Sequence, residues 1–181
     1  MLFGTKRLII RKWQPADASA LYECCSDPNV TKYLSFPTYC SIQDAHDRIA
    51  DMQRRYDAGD KAGIDYAITL KDGGAVIGSI GLNQYNEKYG RSMEIGYLLN
   101  PKHQRKGYMT EVLIGLFKHI KKNDIAWRIV AKHDTTNEKS GAVMRRAGMT
   151  FEGIARKGTS NHLNNRADAA TYSILVEEVV D

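Results

Sequence analysis

The sequence is poor in cysteine and has no long apolar run, and both absences narrow the class of protein. Its three cysteines, Cys24, Cys25 and Cys40, are odd in number and two are adjacent, which disfavours a disulfide framework. No C-x-x-C pair is present, so we expect no zinc site. No stretch approaches the roughly 18 apolar residues of a membrane span, and the N-terminus lacks the pattern of a signal peptide. We therefore expect a reduced, cytoplasmic protein that does not enter a membrane.

What is present is the composition of an ordinary globular chain. Hydrophobic residues make up 43% of the 181 residues and charged residues 26%, and a chain of this length buries roughly 70% of its surface on folding. We expect one domain over residues 1–181. The net charge is +5, but lysine and arginine are dispersed, so direct nucleic-acid binding is not expected. A solvated basic surface and a site for a polyanionic cofactor both remain open.

Periodicity predicts an alternation of strands and helices. Strands are expected where β-branched and aromatic residues run between turn signals, and helices where apolar residues recur every three or four positions. The expected order is strand Arg7–Trp13, helix Ala18–Cys25, a helical turn at Val30–Leu34, a helix between Ser41 and Gly59, strands Asp65–Leu70, Ala75–Tyr85 and Ser92–Leu99, helix Met109–Ile120, strand Trp127–Lys132, helix Asn137–Arg146, and strands Met149–Ala155 and Ala169–Val176.

The connections complete this scheme. Lys71–Gly74 and Asn86–Arg91 carry hairpin-turn signals, and the polar stretch Arg156–Arg166 is expected to be a loop. A strand–helix–strand crossover within an otherwise antiparallel sheet predicts a mixed α/β fold.

A basic turn with a glycine is expected between a strand and a strong helix. The segment is Gln104-Arg105-Lys106-Gly107-Tyr108-Met109-Thr110. A helix N-terminus offers unpaired N–H groups and partial positive charge, and glycine lets the backbone approach a phosphate closely. The segment therefore suits a pyrophosphate, although an ordinary loop with a basic helix start also fits. The P-loop and dinucleotide-binding patterns are absent.

Two further segments carry candidate chemistry. In Met93–Leu99, Gly96 suggests a bulge or close approach to the backbone, and Glu94 interrupts an apolar run. Glu94 is either an outward-facing strand residue or a carboxylate near the site that acts as a base or anchors an amine. Asn137 suits a helix N-cap, and the Ser140 hydroxyl is a candidate donor to a leaving thiolate.

The chain resembles the GCN5-related N-acetyltransferases (GNAT), and among them the RimJ/RimL type of ribosomal-protein N-acetyltransferase. The resemblance lies in the order and spacing of weak motifs over almost the whole chain. These motifs are Glu94-Ile-Gly-Tyr97, Gln104-x-x-Gly107-Tyr108, Asn137-x-x-Ser140, Ala147–Gly153 and Tyr172–Glu178. It implies a mixed, largely antiparallel, seven-stranded sheet that is splayed at the cofactor site, with helices on both faces.

The resemblance also implies residue roles. Acetyl-CoA is the implied cosubstrate, with no metal, and a neutral amine attacks its thioester directly in a ternary complex. Ser140 assists departure of the thiolate, and Glu94 deprotonates or positions the amine. The implied cofactor-binding residues are Tyr97, Leu98 and Leu99 for the pantetheine arm, Gln104, Arg105, Lys106, Gly107, Tyr108, Met109 and Thr110 for the pyrophosphate, and Asn137 and Ser140 beside them.

Two departures and several alternatives accompany this interpretation. Met109 stands where the family usually has a small residue, and Arg156–Arg166 contains no carboxylate, although some relatives place a base there. The acceptor is a protein N-terminal amine, as on a ribosomal protein, or a small-molecule amine; the mainly basic composition disfavours polyamines. A homodimer stays open. The competing class is a non-catalytic CoA-binding or nucleic-acid-associated module.

Overall fold

The computed structural model describes residues 2–60, 63–85 and 91–180. Strands and helices alternate as a mixed α/β fold. The strands are β1 (Phe3–Gly4), β2 (Leu8–Arg11), β3 (Ile64–Leu70), β4 (Val76–Tyr85), β5 (Ser92–Leu99), β6 (Arg128–Asp134), β7 (Thr150–Ser160) and β8 (Arg166–Leu175). The helices are α1 (Ala18–Cys25), α2 (Pro28–Thr31), α3 (Ile42–Ala58), α4 (Tyr108–Lys122) and α5 (Glu138–Arg146).

The strands form one open sheet in the order β1-β2-β3-β4-β5-β6-β8-β7. Neighbouring strands are antiparallel except for β5 and β6, which are parallel because α4 crosses over between them. This crossover confirms the mixed sheet that the sequence predicted.

Local signals in the sequence set the ends of the helices. Ser41 and Asp44 form a capping box at the start of α3, and Gly59 ends that helix in the left-handed conformation. At α5, the Asn137 side chain accepts a hydrogen bond from the backbone N–H of Ser140. The predicted N-cap at Asn137 is therefore confirmed.

Helices cover both faces of the sheet. Neighbouring residues of β3 point in opposite directions, so Ile68 packs on one face and Ala67 on the other. The first face buries the apolar side of α4, namely Met109, Val112, Leu113, Leu116, Phe117 and Ile120. The second face buries Trp13 together with Leu21, Cys24 and Cys25 of α1 and Ala45, Ile49 and Met52 of α3. We call these the α4 face and the α3 face.

Two expectations differ from the structure, and a third falls mainly outside the described residues. The sheet has eight strands rather than seven, because the two-residue strand β1 pairs with β2. Of the expected loop Arg156–Arg166, residues 156–160 belong to β7 and Arg166 belongs to β8, whereas residues 161–165 connect the two strands. Most of β7 is exposed, so it lacks the alternation of apolar residues that would have predicted a strand. The expected turn at Asn86–Arg91 lies, except for Arg91, outside the described residues.

Candidate active site

The parallel strands β5 and β6 separate halfway along their length. Their pairing ends at Ile95 and Ala131, whereas β5 stays paired with β4 to Leu99 and β6 stays paired with β8 to Asp134. The edge of β5 after Ile95 therefore turns away from β6. Gln104 donates to the Leu99 carbonyl there at 3.2 Å, and the other backbone groups on this edge are available to an extended ligand.

The turn that follows β5 has an unusual backbone. Asn100 caps a short 3-10 turn by accepting a hydrogen bond from the Lys102 N–H. Arg105 and Gly107 then adopt φ values of 62° and 76°. Gly107 is the N-cap of α4 and gives it no side-chain cap, so the first N–H groups of α4 remain for an anion.

A cluster from the N-terminal strands supports this turn. The Arg7 guanidinium donates to Glu111 at 2.6 Å and to the carbonyl of Lys106 at 3.1 Å, and it stacks over the Tyr108 ring at 4.4 Å. Glu111 also accepts from the Thr5 hydroxyl at 2.6 Å. Burial opposes ionisation of Glu111, but these hydrogen bonds outweigh it and lower its pKa. No local pattern in the sequence indicates this role of Arg7, since its partners Glu111 and Lys106 lie 104 and 99 positions away.

A groove of about 760 Å³ runs from the separated strands to the turn. It brings together eleven of the twelve predicted cofactor-binding residues; Lys106 is the exception. The eleven are Tyr97, Leu98, Leu99, Gln104, Arg105, Gly107, Tyr108, Met109, Thr110, Asn137 and Ser140.

Charge in this groove is mainly positive. Lys32, Arg105, Lys139 and Arg146 line it, against one acidic residue, Glu138. Such a balance favours a polyanionic ligand. Met109 contributes to the groove lining, but it is only 5% exposed and packs within the core. The larger residue at this position is thus accommodated by the apolar side of α4.

Across the groove, β5 and α5 are joined by a hydroxyl pair. The Tyr97 hydroxyl lies 2.9 Å from the Ser140 hydroxyl oxygen and donates to the Ser140 carbonyl at 3.1 Å. Burial raises the pKa of Tyr97 to about 12, although the hydrogen bond with Ser140 opposes the shift. The phenol is therefore neutral at physiological pH and can donate a proton or a hydrogen bond. The predicted residue Ser140 thus has a partner that the sequence did not identify.

The candidate base lies outside the groove lining. Glu94 belongs to the paired part of β5, opposite Asn83 and Val130, and its carboxylate accepts from Lys132 at 2.9 Å. Its side chain is 31% exposed. Glu94 and Leu98 lie on the same side of β5, which is the α3 face.

The described part of the chain contains no group of three or more His, Cys, Asp or Glu residues arranged to hold a metal ion. Within residues 2–60, 63–85 and 91–180, no helix combines the length and apolar character needed to cross a membrane.

Comparison with known proteins connects these features to a family. A family model described as an acetyltransferase (GNAT) domain matches residues 7–150. YoaA of Bacillus subtilis (strain 168), an uncharacterized N-acetyltransferase, is 33% identical over 174 residues, which cover 96% of this chain and 96% of YoaA.

Two solved structures share the fold. A GNAT-family acetyltransferase from Bacillus anthracis has a TM-score of 0.82 and 30% identity, and the match covers 97% of this chain and 98% of that one. RimL, the ribosomal L7/L12 alpha-N-protein acetyltransferase, in complex with coenzyme A, has a TM-score of 0.81 and 21% identity. That match covers 96% of this chain and 97% of RimL, and at this identity it shows the fold alone.

Proposed function

Since the chain belongs to the acetyltransferase (GNAT) family of N-acetyltransferases, we propose that it transfers the acetyl group of acetyl-CoA to a primary amine by direct attack in a ternary complex. The observation that carries the proposal is the groove itself. In it the free edge of β5, the turn at Gly107 and the Tyr97–Ser140 pair lie side by side.

Acetyl-CoA would occupy this groove along its length. Its pyrophosphate would accept hydrogen bonds from the first N–H groups of α4, with Arg105 adding positive charge. Its pantetheine arm would pair with the backbone of Tyr97–Leu99, where β6 has moved away. The thioester would then lie near Tyr97 and Ser140.

Ser140, at this end of the groove, and Glu94, which lies outside the groove lining, supply the proton transfers. The amine nitrogen attacks the thioester carbonyl, the new C–N bond forms and the C–S bond breaks. Ser140, hydrogen-bonded to Tyr97, donates a proton to the departing thiolate. Glu94 accepts the proton of the amine, directly or through a water molecule, and backbone N–H groups of β5 stabilise the oxyanion. The acceptor is a protein N-terminal amine, such as that of a ribosomal protein, or a small-molecule amine.

Two measurements test this function. Calorimetric titration should show binding of acetyl-CoA, and a thiol-release assay should show transfer to members of a panel of amines, N-terminal peptides and ribosomal proteins. Glu94→Gln should lower kcat by about 10²-fold or more and leave the affinity for acetyl-CoA unchanged, with Glu177→Gln as the control at an exposed position. Binding without transfer to any acceptor would instead identify a non-catalytic CoA-binding module.

A further inference from the structure

A glycine lies exposed in the middle of the sheet, next to the point where β5 and β6 separate. Gly96 belongs to the central strand β5, yet it is exposed. A Cβ atom added to it would meet no described atom within 4 Å. Alternate residues of a strand lie on the same face, so this open space lies on the α3 face together with Glu94 and Leu98.

The neighbouring strand extends the same opening. Gly81 of β4 pairs with Gly96, and Asp65 of β3 pairs with Gly81. A Cβ at Gly81 would lie only 2.6 Å from the Asp65 carboxylate oxygen Oδ1. The Asp65 side chain therefore lies across Gly81 and extends toward Gly96. We call the opening formed by Asp65, Gly81, Glu94 and Gly96 the Gly96 pit.

Two carboxylates flank the Gly96 pit, and each has one oxygen occupied. Asp65 Oδ2 accepts from Arg48, and Glu94 Oε2 accepts from Lys132 at 2.9 Å. The other oxygens, Asp65 Oδ1 and Glu94 Oε1, receive no hydrogen bond from the described residues. Strand spacing separates the Cα atoms of Asp65 and Gly96 by about 10 Å, and Gly96 has no side chain, so an amine has room beside the Asp65 carboxylate.

The Gly96 pit adjoins the proposed thioester position. Gly96 directly precedes Tyr97, the first residue of β5 that lines the groove. The Tyr97 side chain packs on the α4 face and the pit opens on the α3 face, so the two meet at the free edge of β5 beyond Ile95, where β6 has separated. An amine held over Gly96 would thus approach the end of the groove at which the acetyl group would lie. A primary amine needs several acceptors for its N–H groups, and the two unoccupied carboxylate oxygens provide them.

Charge narrows the class of amine. Arg48 balances Asp65 and Lys132 balances Glu94, so the pit carries no excess of negative charge. A polycation would need such an excess. We propose that the Gly96 pit binds the acceptor of the proposed reaction, an inference that rests on the proposed function. We also propose that the acceptor is a molecule with a single primary amine rather than a polyamine. Asp65 positions this amine.

Filling the pit is the most direct test. Gly96→Ala adds a methyl group where no described protein atom stands, so the variant should fold with an unchanged Tm. Its KM for the acceptor should rise about tenfold or more, equivalent to about 1.4 kcal/mol, with an unchanged KM for acetyl-CoA. Gly4→Ala is the matched control: it adds a methyl group in ordinary contact in β1, and both KM values should stay at the wild-type level.

Asp65→Asn tests the proposed amine contact. Loss of a charge-assisted hydrogen bond should raise the KM for the acceptor by about tenfold or more. Asp51→Asn is its control, since Asp51 also contacts Arg48 but belongs to α3 and lies outside the pit. That variant should keep the acceptor KM of the wild type.

The acceptor class is tested with trialanine, glucosamine and spermidine. The better of the two single-amine probes should exceed spermidine in kcat/KM by about tenfold or more. Preference for spermidine overturns the assigned class, and an unchanged acceptor KM in Gly96→Ala overturns the site. A rise in the KM for acetyl-CoA alone would assign Gly96 to the donor side and also overturn it. If the wild type transfers acetyl to no amine at all, the proposed function itself fails.

Discussion

The hydroxyl oxygens of Tyr97 and Ser140 lie 2.9 Å apart, so a hydrogen bond between side chains joins β5 to α5 across the groove. The two residues are 43 positions apart in the chain. The pair places two neutral donors where the sulfur of acetyl-CoA is proposed to lie. Asn137 supports the arrangement by capping the helix that carries Ser140.

Removing either hydroxyl should slow the chemical step. Ser140→Ala and Tyr97→Phe should each lower kcat, by up to about 10²-fold for the proton donor, with a small change in KM for acetyl-CoA. Because the two groups share one hydrogen bond, the double variant should lose less than the product of the single effects. Steady-state kinetics measures kcat for the single and double variants. Tyr66→Phe, in β3, is the control for loss of a half-buried phenol hydroxyl. Fully multiplicative effects would contradict a joint role.

The pH profile provides a separate check on Tyr97. Its pKa is raised to about 12, mainly by burial, so the phenol stays protonated through the alkaline range in which most enzymes are assayed. We expect any fall in kcat between pH 8 and pH 10 to be the same in the wild type and in Tyr97→Phe. A fall that disappears in Tyr97→Phe would show that the phenol ionises in that range.

Gly107 should contribute both to the binding of acetyl-CoA and to the free energy of unfolding. Its φ of 76° is strained for any other residue, so Gly107→Ala should lower the free energy of unfolding by about 1 kcal/mol. It should also raise the KM for acetyl-CoA, because the turn can no longer hold its N–H groups in place. Gly73→Ala is the matched control, with a φ of 73° in a remote turn. It should lose similar stability in urea unfolding and keep the KM of the wild type.

Arg7 should act as a positioning residue for the turn. Arg7→Ala removes the hydrogen bonds to Glu111 and to the Lys106 carbonyl, so the KM for acetyl-CoA should rise about tenfold. The kcat at saturating acetyl-CoA should change little. Arg7→Lys keeps the charge but loses the planar fork, and it should restore only part of the affinity. Arg91→Ala, which breaks a surface pair with Asp124, is the control. A fall in kcat with unchanged KM would contradict the positioning role.

The free energy of unfolding should fall in acid, and protonation of Glu152 should cause part of that fall. Hydrogen bonds from Arg128 hold the pKa of Glu152 below its usual value, aided by Ser173 and opposed by burial. As the pH falls, the unfolded chain takes up the proton first, so the stabilisation is present above about pH 4.3 and lost as the pH falls through the lowered folded value. Glu152→Gln should lose less than about 1 kcal/mol at pH 7 and show a flatter decline from pH 5 to pH 3 in urea unfolding. Glu177→Gln should follow the wild-type curve.

The sequence alone determined the features whose causes are local. Helix α1 spans the predicted Ala18–Cys25, and α3 lies between the predicted Ser41 cap and Gly59. Periodicity and capping fix such elements within a few turns of chain. For the same reason the sequence located the turn at Gln104–Thr110, whose donors belong to consecutive residues. The catalytic roles of Glu94 and Ser140 stay predictions.

Only the tertiary structure decided which distant residues meet. The sheet register sets Asp65 beside Gly81 and Gly81 beside Gly96, and the packing of the N-terminal strands brings Arg7 to Glu111. The hydrogen bond between Tyr97 and Ser140 depends on how far β5 and β6 separate. Strand order and register follow from the packing of the whole sheet, so a pattern within one segment cannot specify them. The sequence therefore identified the turn that we propose to bind the acetyl donor, whereas the arrangement of the Gly96 pit depends on the register of three strands.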